Sequence, residues 1–280
     1  MSTLKVGAIR GISASSDAIT VNATDGTCTA KITNNLSNRN LIINGAMNIA
    51  QRGTSSTSSG FYTVDRFKGT FAQASVTQTQ SDVASGTTPY NLGFRKAIKL
   101  ANTSTSTNSG ALATINYYPE AQDLANSGWD YTSASSYITL SFWVKSSLAG
   151  TYYVNLFTED TTQQNFPYSF ALSADTWTKV TKTIPGNSNI TINNDNGAGM
   201  EIKINAFLGT GAGASSGSPP TLGVWAAKDG SHRLPVFAQD WCNTGSATFE
   251  VTGVQLEVGD FASDYCHEPY SETLRKCQRY

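Results

Sequence analysis

The stretch from Tyr137 to Glu159 constrains the fold most. In "YITLSFWVKSS" (137–147), Ile138, Leu140, Phe142 and Val144 fall on one side, and Thr139, Ser141, Trp143 and Lys145 on the other. That two-residue period belongs to a strand with one face in a core. After Ala149-Gly150, "TYYVNLFTE" (151–159) repeats the pattern and is expected to be its hairpin partner. "TWTKVTKTI" (176–184), "GMEIKINAFLG" (199–209) and "SATFEVTGVQLEVG" (246–259) extend a series of about a dozen short runs from Asn40 to Pro269. No helical period survives between them, which excludes a parallel α/β architecture. Polar tracts at 54–60, 102–110, 186–199 and 209–220 read as loops. Antiparallel strands spaced evenly over this length predict an all-β fold, an antiparallel jelly-roll β-sandwich.

The low charge supports this reading. Charged residues make up 14% of the 280, and 24 glycines together with many Ser, Thr and Asn fill the deficit. Such residues suit turns and strands and compete with helix backbone bonding. Hydrophobic residues at 39% still allow a sizeable core. With a net charge of -1 and no basic run, no nucleic-acid partner is expected. No apolar run approaches the ~18 residues of a membrane span, so no membrane insertion is expected. The N-terminal residues show no basic region followed by an apolar one, so no secretory leader is expected.

The chain divides into three parts: 1–40, 41–270 and 271–280. Residues 1–40 contain no aromatic residue. Their short runs, 18–21 and 28–32, flank Asp25-Gly26, a two-residue hairpin signal. A segment so poor in large apolar groups cannot bury a core alone, so it is expected to be a short extended segment packed on something else. At the other end, "SETLRKCQRY" (271–280) predicts a short helix with Ser271 as its N-cap.

Motifs of catalysis and cofactor binding are missing. Gly209 to Ala214 matches G-x-G-x-x-[GA], but Ser, Gly and Pro follow where a dinucleotide site needs a helix N-terminus. Cys28, Cys242, Cys266 and Cys277, with His232 and His267, lack every compact zinc spacing and read as reduced thiols and surface or capping histidines. No G-x-S-x-G elbow supports a Ser-His-Asp triad. Glu120, Asp123, Asp130, Glu159, Asp160 and Glu201 could supply the paired carboxylates of a glycosidase, but most adjoin turns and read as solvated loop acids. "NNDNG" (193–197) misses the calcium-loop spacing and reads as a turn. No catalytic residue, metal or cofactor is expected.

Aromatic residues near loops are the binding candidates. Trp129 and Tyr131 sit in a turn-rich stretch, and Trp225 and Trp241 flank the loops holding Lys228-Asp229-Gly230 and Asn243. An exposed indole beside Asn, Asp or Thr suits the C–H face and hydroxyls of a sugar, whereas core or intersubunit packing is the other role such rings take.

Two motifs resemble a known group. "NLIINGAMNIAQRG" with "YTVDRF" (40–67) is similar to the opening of β-sandwich domains in tail-fibre and appendage proteins of tailed bacteriophages. "VTGVQLEVGDFASDYCHEPYSETLRKCQRY" (251–280) resembles their closing segment. The strands between look like those of family 4/9-type carbohydrate-binding modules. The resemblance implies a non-enzymatic virion structural protein, assembled in the host cytoplasm and released by lysis. It further implies a homotrimer attached to other virion proteins through residues 1–40 and adhering to a bacterial-surface glycan. Capsid decoration without a receptor role, or a polysaccharide depolymerase, are the alternatives. Within the opening motif, Asn44-Gly45 is expected to form a tight turn, both residues tolerating positive φ. Val64 to Phe67 is expected to start a strand, with Asp65 and Arg66 on opposite faces, each fixing a loop or subunit contact.

Overall fold

A computed structural model describes residues 7–12, 17–30 and 40–279. The chain separates into two compact units, Met1–Arg39 and Asn40–Tyr280.

In the first unit, β1 (Ala8–Ile9), β2 (Ile19–Val21) and β3 (Cys28–Ala30) form a three-stranded antiparallel sheet. The hairpin between β2 and β3 is wider than the two-residue turn expected at Asp25-Gly26. Asn22 N–H donates to Thr27 O, Gly26 N–H to Asn22 O, and Thr27 N–H to Asp25 Oδ1. Gly26 takes the left-handed conformation at φ +74°. Ile9 and Ile12 are exposed. The expected strand residues Lys31 and Ile32 lie outside the described residues.

The second unit is an antiparallel β-sandwich. Its first sheet runs, edge to edge, β12 (Thr178–Pro185), β9 (Tyr137–Ser146), β17 (Thr248–Val258), β7 (Lys96–Ser104), β6 (Ser75–Asp82) and β4 (Ser55–Ser56). Its second runs β15 (Ala226–Ala227), β11 (Gln164–Leu172), β10 (Gly150–Thr158), β13 (Met200–Leu208), β8 (Leu112–Tyr117) and β5 (Phe67–Ala72). A two-residue parallel pair, β14 (Ala214–Ser215) with β16 (Leu234–Pro235), and a 3-10 turn at Thr210–Ala212 add local order to the Gly-rich stretch. The chain passes repeatedly from one sheet to the other, as in a jelly roll.

The hairpin expected between 137–147 and 151–159 does not form. β9 pairs with β12 and β17, while β10, only three residues later, pairs with β11 and β13 in the opposite sheet. The inward rows Ile138, Leu140, Phe142, Val144 and Tyr152, Val154, Leu156 are all buried. Facing each other across the sandwich, they bury what adjacent strands of one sheet would leave on a shared surface. Phe142 of one sheet meets Phe170 of the other edge-on at 5.8 Å, and Tyr152 lies 5.4 Å from Phe249.

Among the described residues, α-helix is confined to single turns α1 (Thr88–Asn91) and α2 (Ala121–Ala125) and to α3 (Tyr270–Cys277). α3 begins one residue before the expected cap, with Pro269 as N-cap and Ser271 inside the first turn. Among the described residues, no helix is long and apolar enough to cross a membrane.

Candidate glycan-binding face

The outward face of the second sheet carries a dense set of polar side chains. While Met200, Ile202, Ile204, Ala206 and Leu208 of β13 enter the core, Glu201, Lys203 and Asn205 point away from it; beyond a bulge after Asn205, the half-buried Phe207 packs at the core's margin. Register places Lys68, Asn116, Lys203 and Asn155 in one cross-strand row and Thr70, Thr114, Asn205 and Tyr153 in the next. Several of these outward amides are buried, because the segment around Arg233 lies across them. Asn155 Nδ2 donates to Asn165 Oδ1 at 3.0 Å and Arg233 O at 3.0 Å, and Asn205 Nδ2 donates to Asn155 Oδ1 at 3.1 Å. Asn205 Oδ1 and Arg233 Nε find no partner among the described residues.

Charges on this face are tightly held. Glu201 Oε1 accepts from Asn116 Nδ2 and, at 2.6 Å, from the Tyr118 hydroxyl, and lies 3.5 Å from Lys203 Nζ. Burial lowers the Lys203 pKa, and the neighbouring Glu201 opposes that shift. Burial, then the Glu201 hydrogen bond, raises the Tyr118 phenol. Beside them, Lys228 Nζ donates to Gln163 Oε1 at 2.8 Å, and Gln163 Nε2 donates to Glu159 at 2.6 Å. Burial raises the Glu159 carboxyl. Lys203 and Lys228 stand 5.6 and 4.6 Å from the Phe157 ring centroid.

Past the bulge that ends the outward row of β13, a cleft of about 280 Å³ opens beside Phe207. Phe207 and Phe237 form its apolar side, 5.6 Å apart, and Tyr153 meets Phe237 edge-on at 4.9 Å. Asn108, Thr210 and Asp240 supply polar groups at its rim. Apolar rings bordered by hydroxyl, amide and carboxylate groups match a sugar, which has one apolar face and a ring of hydroxyls.

The tryptophans expected to offer sugar platforms are elsewhere and face inward. Trp129, Trp225 and Trp241 are 3%, 7% and 0% exposed. Trp129 Nε1 donates to Ser136 O at 3.4 Å, Trp225 Nε1 donates to Pro185 O at 2.7 Å, and the Trp225 ring lies 5.2 Å from Phe166. The half-buried Tyr131 packs edge-on to Trp129 at 6.1 Å, its hydroxyl donating to Ile192 O. Turns fold these indoles over the core edge, where their large apolar area is removed from water. Phe207 carries its own sequence signal: in "MEIKINAFL" it is the one large apolar residue out of phase with the inward row.

The opening-motif residues form a structural corner. Asn44 adopts φ +62°, and its side chain bonds Ile49 N and O and Asp65 O at 2.9–3.0 Å. Gly45 does not use positive φ; an added Cβ there would collide with the Val254 carbonyl. Val64 to Arg66 is a turn rather than a strand, since Arg66 is left-handed at φ +72° and β5 starts at Phe67. Asp65 is buried and accepts from the Gln51 backbone and side-chain amides, with Arg52 3.8 Å away, so it does fix a neighbouring loop. Arg66 reaches Tyr118 O and lies 5.6 Å from the Tyr117 ring.

No group of residues suited to a metal occurs among the described residues. Asp195 Oδ1 instead accepts from Gly197 N–H within the Asn-rich turn. Burial pushes the Cys242 and Cys277 thiols up to about 12, away from thiolate chemistry.

No family model and no curated protein matches the chain. Among solved structures, it is similar to a CBM4 structure over 77% of this chain and 98% of that one, at 12% identity and TM-score 0.37. The N-terminal cellulose-binding domain of Cellulomonas fimi β-1,4-glucanase C aligns with 77% of this chain and 99% of its own, at 10% identity and TM-score 0.36. The tripod from the baseplate of bacteriophage Tuc2009 aligns with 91% of this chain and 66% of that one, at 15% identity and TM-score 0.34.

Proposed function

We propose that this chain is a non-catalytic, glycan-binding structural protein of a tailed-phage particle, a homotrimer held on the virion through residues 1–40. The glycan role rests on the Phe207 cleft, where Phe207 and Phe237, the latter backed by Tyr153, supply apolar ring surface beside Asn108, Thr210 and Asp240. The virion role is supported by the opening and closing motifs, and attachment by the exposed Ile9 and Ile12 of the N-terminal unit. Glu201, one of the acids a glycosidase could use, has Asn116, Tyr118 and Lys203 all directed at one oxygen, which favours a fixed carboxylate over a proton donor at that position.

The test is binding of the full chain to a bacterial-polysaccharide array. Phe207→Ala, which removes the half-buried ring, is expected to weaken binding at least about tenfold. Unchanged binding by that variant overturns the site. Absence of all glycan binding overturns the adhesive role and leaves capsid decoration. Reducing-end release from a bound polysaccharide overturns the non-catalytic reading. Light scattering reports the trimer, which a monomeric mass refutes.

A further inference from the structure

The outward face of the first sheet carries another cleft, of about 230 Å³, built from parts far apart in sequence. Trp143 of β9 is half-buried there, with Lys179 of β12 directly opposite it and exposed. The floor depends on an irregularity in β17. Pairing with β9 shifts register between Thr252 and Gln255, and Gly253 within this bulge takes φ +63°. A Cβ at Gly253 would lie 2.7 Å from Phe94 Cζ and 3.2 Å from Trp143 Cδ1, so the absent side chain is what lets both rings sit over the strand.

The segment following β17 forms the opposing wall. Two buried residues of β17 hold it: Gln255 Oε1 accepts from Cys266 N–H at 2.9 Å, and Glu257 accepts from Ser263 N–H at 3.1 Å and from its hydroxyl. His267 Nε2 donates to Leu92 O at 2.9 Å, tying the wall to the turn after α1. Tyr265 and His267 both pack on Phe94, at 4.9 and 5.1 Å. The cleft therefore exists before any ligand arrives, so little ordering cost falls on binding.

Its lining specifies a ligand class. Trp143 and Tyr265 give aromatic surface, Lys179 offers donors only, Asp264 acceptors only, and the Ser141 hydroxyl both. One cation and one anion on facing walls leave no net charge to select an ionic ligand. A molecule with an apolar face and several hydroxyls, each donor and acceptor, answers all of these groups. We infer that this cleft is a second saccharide site, taking one neutral pyranose unit stacked on Trp143 between Lys179 and Asp264. The inference rests on the reading of the chain as a glycan-binding protein, but on none of the residues of the Phe207 cleft. Two sites on opposite faces let one chain engage two glycan segments, raising avidity without new contacts.

The experiment titrates the full chain with glucose, galactose, mannose, N-acetylglucosamine and rhamnose, following tryptophan fluorescence and saturation-transfer NMR. At least one sugar is expected to bind, and Trp143→Ala and the surface variant Lys179→Ala should each weaken it at least about tenfold, while Phe207→Ala leaves it intact. Binding that persists in both Trp143→Ala and Lys179→Ala overturns the inference, as does failure of all five sugars to bind. Loss confined to Phe207→Ala also overturns it and leaves the first site standing; loss confined to the Trp143 and Lys179 variants sustains the second site alone.

Discussion

Replacing Gly45 by alanine tests whether the opening motif closes the fold by close backbone approach. Residues 40–45 lie along β17: Leu41 N–H donates to Leu256 O at 2.9 Å, Val254 N–H to Gly45 O at 3.0 Å, and Leu256 N–H to Asn40 Oδ1 at 3.1 Å. A methyl group at Gly45 would meet the Val254 carbonyl oxygen far inside contact distance and lie 3.0 Å from Tyr265 Oη. The obstacle is backbone, so no side-chain rotation relieves it, and the segment must move off β17 by roughly an ångström. Overpacking of this kind costs about 1–3 kcal/mol. Losing two of the three hydrogen bonds adds about 1 kcal/mol each, giving about 3–5 kcal/mol in all. For a chain of this size, with a urea slope of roughly 2–3 kcal/mol per molar, the unfolding midpoint should fall by about 1–2 M. The alternative makes the opposite forecast. Gly45 has no left-handed φ, so if its only effect were on chain entropy, alanine would stabilise by about 0.4–1 kcal/mol. A midpoint that stays put or rises in urea titration refutes the close-approach argument.

Two further outcomes follow from the outward face of the second sheet. Glu201→Ala should cost about 3–5 kcal/mol, because Lys203 is left largely buried without its carboxylate, and adding Lys203→Met should recover much of it in a double-mutant cycle. Additive losses would show the pair is uncoupled. Burial raises the Glu159 pKa above its ordinary 4.5, so the folded state binds the proton more tightly than the unfolded chain. Its ionisation therefore opposes folding, a cost absent below the unfolded pKa and growing as pH rises towards the raised folded value. Glu159→Gln, which keeps the oxygen facing Gln163, should raise the melting temperature at pH 7 and leave it unchanged near pH 4; an equal effect at both pH values refutes the assignment.

The strands were legible because alternation is a local property. Ile138 to Val144 announces a buried row wherever its strand lies, and the row is buried. Which sheet each strand joins is not local. Three residues between β9 and β10 permit a hairpin as readily as a crossing, and only the need of two apolar faces for each other decides it. The Trp residues fail for a related reason. A turn-rich neighbourhood does not say whether the turn carries its indole outward or folds it over the core edge, and Trp225 Nε1 finds its acceptor at Pro185, forty positions away. Asp65 shows the limit for charges: its two-sided strand pattern dissolves because Arg66 turns left-handed, which frees the carboxylate to bind backbone at Gln51.

The two ends of the sandwich meet, and this separates what the opening motif encodes from what the Phe207 cleft encodes. Gly45 lies against Val254 and Tyr265 of the closing segment. At the far end of that segment Cys277 is buried, its thiol raised first by burial and then by the Asp65 carboxylate. Arg279 reaches Glu120 at 3.0 Å, beside α2. Asn40, Asn44, Gly45 and Asp65 on one side, and Gln255 and Glu257 on the other, thus form a hydrogen-bonded corner that holds residues 40–45 and the segment after β17 against β17. The side chains of Asn44, Asp65, Gln255 and Glu257 are spent on backbone or neighbouring side chains, so their part is to hold the corner rather than to contact a ligand. Phe207, Phe237 and Asn108 lie outside both motifs and owe their placement to β13 and the loops around it. Substitutions that exchange ligands at the Phe207 cleft can therefore accumulate there without touching the closure of the fold, whereas a change at Gly45 or Asp65 acts on folding first and reaches that cleft only through it.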